Sequence, residues 1–555
     1  MRDVILRLRA PGTDAPVIEV PARSGEDLAR AIWLSGALAP RPLCLGLGRC
    51  GRCRVRYVAD APPPLPEDAA ILAPHDVAAG WRLACRRAVP EREGAGSRPG
   101  GALELEVPEE AFAPAPDAGM PTAGAPEPLG ADECVVLGVD LGTTSLQWRA
   151  CGVDAAADGP GRVLAEGSLL NPQAGAGADI MSRLAYARAP GGLATLGRLA
   201  RGAVRAIADR LARDGLAPLR ICVAANTAMT DIFLGRDVTG LCAAPYRRSH
   251  AGGRTVDLPN LPPVLIPPLP APFVGGDLSA GLAALLAQDT PRPFVLADLG
   301  TNGELALLTE DERLILASVP LGPALEGIGP ERGGMAGPGV ATEFRLGPRG
   351  LQPVLFGEAG HPNIGGEAAP DADAAAISAT GYLSLLALLF RLGVLDVAGH
   401  FARPASLALP LARTLAGKVE SGPGGARLPL PLGLWLSAAD VELLLKVKAA
   451  FAVALAAVCA AASLSPSALR RLALAGALGE HARTADLKDL GFAPGIAESK
   501  IVAVGNTSLA GAVLLAARPE RLEALAALCG RAEVLELTAA PGFQRDYLAQ
   551  MRLGD

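Results

Sequence analysis

The chain has 555 residues, half of them apolar, a formal net charge of −6 and ten cysteines. That length holds roughly three or four domains with ample buried core. The mild acidity excludes a basic nucleic-acid binder, and the sparse cysteines exclude a disulfide scaffold of this size.

In chain order, the first stretch, Met1 to Arg7, alternates like an edge strand and lacks the long apolar run of a signal peptide. A second strand is expected over 16–21. A helix follows near 25–36, starting at Ser24 with Glu26 and Asp27 in its first turn. Next comes Cys44-Leu-Gly-Leu-Gly-Arg-Cys50-Gly-Arg-Cys53, with Cys85 at a distance, so the spacing is C-x5-C-x2-C…C. Zinc sites pair two short cysteine knuckles, and only Cys50 and Cys53 form one. A [2Fe–2S] cluster uses three loop cysteines and one distant cysteine, as here. Gly46, Gly48 and Gly51 let the backbone wrap such a cluster and aim N–H groups at its sulfides. After the loop, 54–58 reads as a strand. This is the element order of a β-grasp [2Fe–2S] ferredoxin, assigned to 1–92, with a zinc site or structural thiols as the alternatives.

From 93 to 132 the chain is rich in Pro, Gly and Ala and reads as a linker in which only Leu103 to Val107 is strand-like. Ala113 to Pro128 has too few large apolar residues to pack and is expected to be a flexible tether. Such a tether would let a cluster swing between donor and acceptor.

From 133 to 555 the pattern is α/β. Val-Val-Leu-Gly-Val-Asp140-Leu-Gly142-Thr143-Thr144 is a buried strand ending in Asp and a Gly-Thr turn, and Phe-Val-Leu-Ala-Asp298-Leu-Gly300-Thr301-Asn302-Gly303-Glu304 repeats it. A glycine turn lets N–H groups reach phosphate oxygens, hydroxyls add donors, and a strand-end Asp can orient Mg2+ through its water shell. One such turn is commonplace; two suggest duplicated lobes clasping one nucleotide. Between them lie a helix over 193–211, a strand over 220–224, and Gly275-Gly276-Asp277 heading a helix. Ser318 to Gly327 is a glycine-bounded turn. Asp440 to Val458 is a helix with Ser437 as N-cap, and the apolar run Ala449 to Leu464 is a buried helix, too short for a membrane span. Gly476 and Gly479 follow a strand and could shape an adenosine pocket, or simply a turn; Gly505-Asn506 has the same two readings. The five histidines form no metal pattern and receive no role.

Together these residues resemble the iron–sulfur ATPases that reductively activate corrinoid-dependent methyltransferase systems. The resemblance covers the cysteine loop with Trp81 to Cys85, both Asp-Gly turns, Gly275 to Asp277, Gly322 to Gly327 and the tail Pro541 to Tyr547. It implies a two-lobed actin-like, ribonuclease H-like ATPase domain, of the superfamily of sugar and acetate kinases and chaperone ATPases, behind the ferredoxin. Its implied cofactors are ATP, Mg2+ and a [2Fe–2S] cluster on Cys44, Cys50, Cys53 and Cys85. Asp140, Gly142, Thr143 and Thr144 would hold the β/γ-phosphates and magnesium. Asp298, Gly300, Thr301, Asn302 and Gly303 would close over them. Glu304 would position water, its alternative being a surface strand end. The implied activity is ATP-dependent return of a partner's Co(II) corrinoid to Co(I), in the cytoplasm, with an external low-potential electron donor. A homodimer is left open; neither nucleic acid nor membrane is implied. Larger relatives carry a further middle domain before the first phosphate turn, and the short linker implies that it is missing here. Three rivals stay open: a small-molecule kinase with a fused ferredoxin, using Asp231 or Asp277 as base; a radical-dehydratase activator; and an electron carrier whose nucleotide domain is only regulatory.

Overall fold

The structure is a computed structural model, which describes residues 3–12, 17–40, 43, 46, 48, 51–90, 102–112, 133–154, 159, 161–177, 179–300, 302–322, 324, 329–334, 336–337, 339–347, 350–356, 376–422, 425–476 and 481–554. It divides into two compact units, Met1–Asp277 with Ala512–Glu523, and Leu278–Gly511 with Ala524–Asp555.

The first unit begins with a five-stranded mixed sheet. Asp3–Arg9 pairs antiparallel with Ile18–Arg23 on one side and parallel with Leu103–Glu106 on the other. Arg54–Tyr57 joins Leu103–Glu106 and then Trp81–Leu83. Two expectations change here. The first strand is interior, paired on both sides; Leu6 and Leu8 are fully buried while Ile5 and Arg7 face out, a period-2 pattern that an inner strand shows as readily as an edge. Leu103–Glu106, placed in the 93–132 linker, is the middle strand of this sheet. Its Glu106 is 2% exposed and is held by Arg56 and Arg9 at 2.5 and 3.3 Å. The tether 113–128 lies outside the described residues. The helix is Leu28–Trp33, capped by Asp27, whose carboxylate accepts from the Arg30 N–H at 2.8 Å; Ser24 is not the cap. Leu28, Ile32 and Trp33 turn into the sheet's core.

The rest of that unit is a six-stranded sheet. Glu133–Leu141, Ser145–Asp154 and Arg162–Leu170 form an antiparallel meander, and Pro218–Ala224 then Val264–Ile266 add in parallel on its other side. The first strand is apolar on both faces, as a strand covered on both sides must be. Gly138 is needed there: a Cβ would stand 2.5 Å from Val513.

The second unit repeats that topology. Phe294–Leu299, Asn302–Leu308 and Leu314–Pro320 form the meander, and Arg471–Ala475 then Ile501–Gly505 add in parallel. Its core is crossed by the 24-residue helix Ala438–Ala461, started by a Ser437–Asp440 capping box. That helix is long and apolar enough to span a membrane, yet 72% of its apolar window is buried inside the protein.

Candidate functional site

The loop that carries the cysteines is shaped by its glycines. Gly46, Gly48 and Gly51 have φ of +80°, +67° and +67°, conformations that side-chained residues avoid. Cys53 and Cys85 are buried, with 1% and 9% exposure. Pairing of Arg54 with Leu83 carries on into Ala84 N–H donating to the Cys53 carbonyl at 3.0 Å, which brings Cys85 beside Cys53. Arg86 donates to the Gly46 carbonyl at 3.1 Å, and a Cβ on Gly46 would lie 3.7 Å from the Cys85 carbonyl, so the loop folds over that cysteine. Buried cysteines beside positive-φ glycines are a donor set that suits an iron–sulfur cluster. Cys44 and Cys50 lie outside the described residues.

The residue that places Cys85 is Asp68, which the sequence reading missed. Fully buried, it accepts from the N–H groups of Leu65 and Leu83 at 2.8 Å each and from Arg87 at 2.6 Å. One carboxylate thus ties helix Pro66–Ile71 to the strand that leads into Cys85. Its only local signal is an acid at the third position of a Pro-started helix.

In the six-stranded sheet of the first unit, Asp140 sits near the end of its strand, opposite Gln147 and Ala224. The turn after it is tight: a Cβ on Gly142 would be 2.9 Å from the Ser145 carbonyl. Two buried side chains grip the turn from behind. Asn171, 0% exposed, donates its amide to the Gly142 carbonyl at 2.7 Å, and its own N–H donates to the Thr144 carbonyl at 2.9 Å. Arg183, 1% exposed, donates to the Thr143 carbonyl and to the Gly177 carbonyl. The carbonyls of this turn are thus held from behind. Neither gripping residue follows from a local motif.

Next to this turn, strand Pro218–Ala224 runs into helix Thr227–Leu234, capped by Asn226. Gly275 packs so closely that a Cβ would meet the Asn226 Cα at 2.3 Å, and Gly276 N–H donates to the Ala225 carbonyl at 2.7 Å. Asp231 on that helix is fully buried, accepts from the Ser249 hydroxyl at 2.7 Å and lies 3.1 Å from His250 Nε2. Asp231 therefore serves as an anchor for the 243–254 segment, a role read for neither it nor His250 in the sequence.

In the second unit Asp298 sits opposite Glu304 and Ala475. Gly300 N–H closes its turn on the Asn302 carbonyl at 3.1 Å, and a Cβ on Gly303 would press Leu321 at 2.8 Å. Glu304 is 6% exposed, which removes the surface strand-end reading. Gly476 has φ +79°, and its missing Cβ would stand 2.6 Å from Asp298 Oδ1. That glycine clears room for the Asp298 carboxylate. Gly505 has φ +67° with open space around it, and Asn506 caps the next helix by accepting from the Leu509 N–H at 2.8 Å. Thr301 and Gly479 lie outside the described residues.

Residues 292–555 match the C-terminal domain of RACo, the ASKHA domain, and residues 135–289 match the RACo middle region. The chain belongs to the RACo family of corrinoid-protein reductive activators. The second match overturns one expectation: the middle domain is not missing. It is the very segment that carries the Asp140 turn, which the sequence reading had assigned wholly to the ATPase domain. Among relatives, the corrinoid activation enzyme RamQ of Eubacterium limosum is 26% identical over 436 residues, 75% of this chain and 70% of that protein. The [Co(II) methylated amine-specific corrinoid protein] reductase of Methanosarcina barkeri is 28% identical over 304 residues, 52% of this chain and 51% of that protein. A solved structure of a reductive activator for corrinoid, iron–sulfur protein covers 99% of this chain and 98% of its own, with TM-score 0.62 and 20% identity. That likeness carries the fold, and the ASKHA match over 292–555 is what assigns an actin-like ATPase domain.

Proposed function

We propose that this chain is an ATP-dependent reductive activator. It delivers one electron to the Co(II) corrinoid of a partner methyl-transfer protein, returning it to Co(I), and hydrolyses ATP to ADP and phosphate. The observation that carries the reading is the coexistence of two Asp-ended hairpins of one topology with two buried thiols under a positive-φ glycine loop. The names of the relatives point the same way.

Cys44, Cys50, Cys53 and Cys85 would hold a [2Fe–2S] cluster in a β-grasp ferredoxin, whose strand order the N-terminal sheet matches. When bound, that cluster supplies one-electron transfer at low potential. Asp68 and Arg87 keep the Cys85 segment in place. On the nucleotide side, the N–H groups of Gly142, Thr143 and Thr144 and the two threonine hydroxyls bind phosphate oxygens. In the 300–303 turn, Thr301 and Asn302 offer a second set, the Gly300 N–H being bonded to the Asn302 carbonyl and Gly303 keeping the turn compact. Asp140 and Asp298 would hold magnesium through its water shell, where the ion would supply charge neutralisation, and Glu304 would orient the attacking water. Gly476 and Gly479 border the nucleoside, with Gly505 nearby in chain order. The setting is cytoplasmic, with a separate low-potential protein as electron donor; a homodimer is compatible with this scheme.

The test uses the full chain with its cluster, a Co(II) corrinoid protein of a methyltransferase system and titanium(III) citrate as reductant, read by visible absorption. Co(I) is expected to accumulate only with Mg-ATP. Equal accumulation without nucleotide would establish the plain electron carrier. Stoichiometric phosphorylation of an added polyol would establish the kinase.

A further inference from the structure

The N-terminal sheet and the six-stranded sheet of the first unit are in direct contact, through the end of helix Leu28–Trp33. Leu34 is 3% exposed and belongs to the core of the six-stranded sheet, not to that of its own sheet. It rests on the short turn Ala174–Ala176, where a Cβ on Gly175 would come within 3.2 Å of Leu34 and 3.4 Å of Trp33. Gly36 fits over Leu199, 3.1 Å from where its own Cβ would be. Arg198 reaches back to the carbonyls of Leu34 and Ser35, both at 3.4 Å, and the Arg30 guanidinium lies 5.6 Å from the Tyr186 ring centre.

The turn that receives Leu34 is the same one that grips the phosphate turn. Asn171 and Gln173 lead into Ala174–Ala176, and the Asn171 carboxamide oxygen accepts from the Gln173 N–H at 2.8 Å while its amide holds Gly142. Arg183 spans both ends, bonding Gly177 at the far side of the turn and Thr143 in the phosphate turn, and it lies 3.4 Å from the Gln173 side chain. All of these side chains are buried, so a shift of the 171–177 segment has no water to absorb it and must pass to the residues it bonds.

We propose that Asn171, Gln173 and Arg183 are positioning residues that couple the Gly142–Thr144 turn to docking of the N-terminal sheet, so that bound nucleotide and the docked sheet strengthen each other. The proposal rests on the reading that this turn binds nucleotide. It assigns the N-terminal sheet a docked station in place of the free swing expected from a tether. Because coupling is reciprocal, a change at either end must appear at the other.

Hydrogen exchange on the full chain, with and without Mg2+ and the analogue AMP-PNP, tests this. Nucleotide is expected to protect 142–145 and, in the same titration, Trp33 to Gly36. A Leu34→Ala, Arg198→Ala double variant touches only the docking contact and is expected to weaken AMP-PNP binding by about fivefold or more. Arg183→Lys keeps a buried cation but not the two-ended fork, and is expected to abolish the response at Trp33 to Gly36. Protection at 142–145 with unchanged exchange at 33–36, or parental affinity in the double variant, would overturn the coupling while leaving the nucleotide reading intact. No protection at 142–145 would take down both.

Discussion

Gly476 is constrained twice over. Its φ of +79° costs a side-chained residue roughly 1–2 kcal/mol, and a methyl group there would stand 2.6 Å from a carboxylate oxygen of Asp298. Gly476→Ala is therefore expected to displace Asp298 and to lower kcat/KM for ATP hydrolysis by about tenfold or more, the scale on which misplaced positioning groups act. Steady-state phosphate release measures it, and a parental value would show that Asp298 is not near the chemistry. Asp68 is the corresponding point beside the cysteines. It is fully buried, and Arg87, its partner at 2.6 Å, is 9% exposed, so Asp68→Ala leaves a buried guanidinium and two N–H groups without their acceptor. Breaking a buried pair of this kind costs about 3–5 kcal/mol. Exchange at Leu83 should accelerate accordingly, and iron retention should fall with it. The cysteines were visible in the sequence because candidate metal ligands are written as spacing. Asp68 was not, since two of its partners, Leu83 and Arg87, lie 15 and 19 residues away.

At the scale of elements, the buried helix Ala438–Ala461 was legible because its start is local: Ser437 accepts from the Asp440 N–H at 3.2 Å, and Asp440 returns the bond to the Ser437 N–H at 3.1 Å. Ser437→Ala is expected to cost about 1 kcal/mol, read as a lower urea midpoint with an unchanged m-value. Further along, Lys448 is 2% exposed and donates to the carbonyls of Gln550 and Arg552 and to the Gln550 side chain at 3.0–3.3 Å. It clamps the end of helix Phe543–Ala549 onto the core helix. Lys448→Met should fit the apolar surroundings yet strip those acceptors, so faster exchange over 549–554 is the expected result. Strand Leu103–Glu106 shows the limit of element-level reading. Four residues in a Pro- and Gly-rich stretch look like a stray extended piece, and only its pairing with Asp3–Arg9 and Arg54–Tyr57 makes it the middle of a sheet.

For the whole molecule, the proposed activity joins two chemistries whose ligands come from different sheets. Cys85→Ser is expected to remove the visible absorption of the cluster while leaving phosphate release within about twofold of the parent, the size of an uncoupled change. Asp298→Asn should do the reverse. Loss of both signals in either variant would show that the two sites do not fold separately. By itself, the sequence determined what is written in short spacing or in the period of one element. That set comprises the cysteine loop, the two Asp-Gly hairpins, the long helices and the Ser437 cap, and with them the family. The tertiary structure decided which residues hold those motifs in place: Asp68 beneath Cys85, Asn171 and Arg183 behind the Gly142–Thr144 turn, and Leu34 seated in a core that is not its own. The reason is distance along the chain. Arg183 meets Thr143 across 40 residues and Asn171 meets Gly142 across 29, and no local pattern of hydrophobicity or turn chemistry specifies a buried polar contact over such separations.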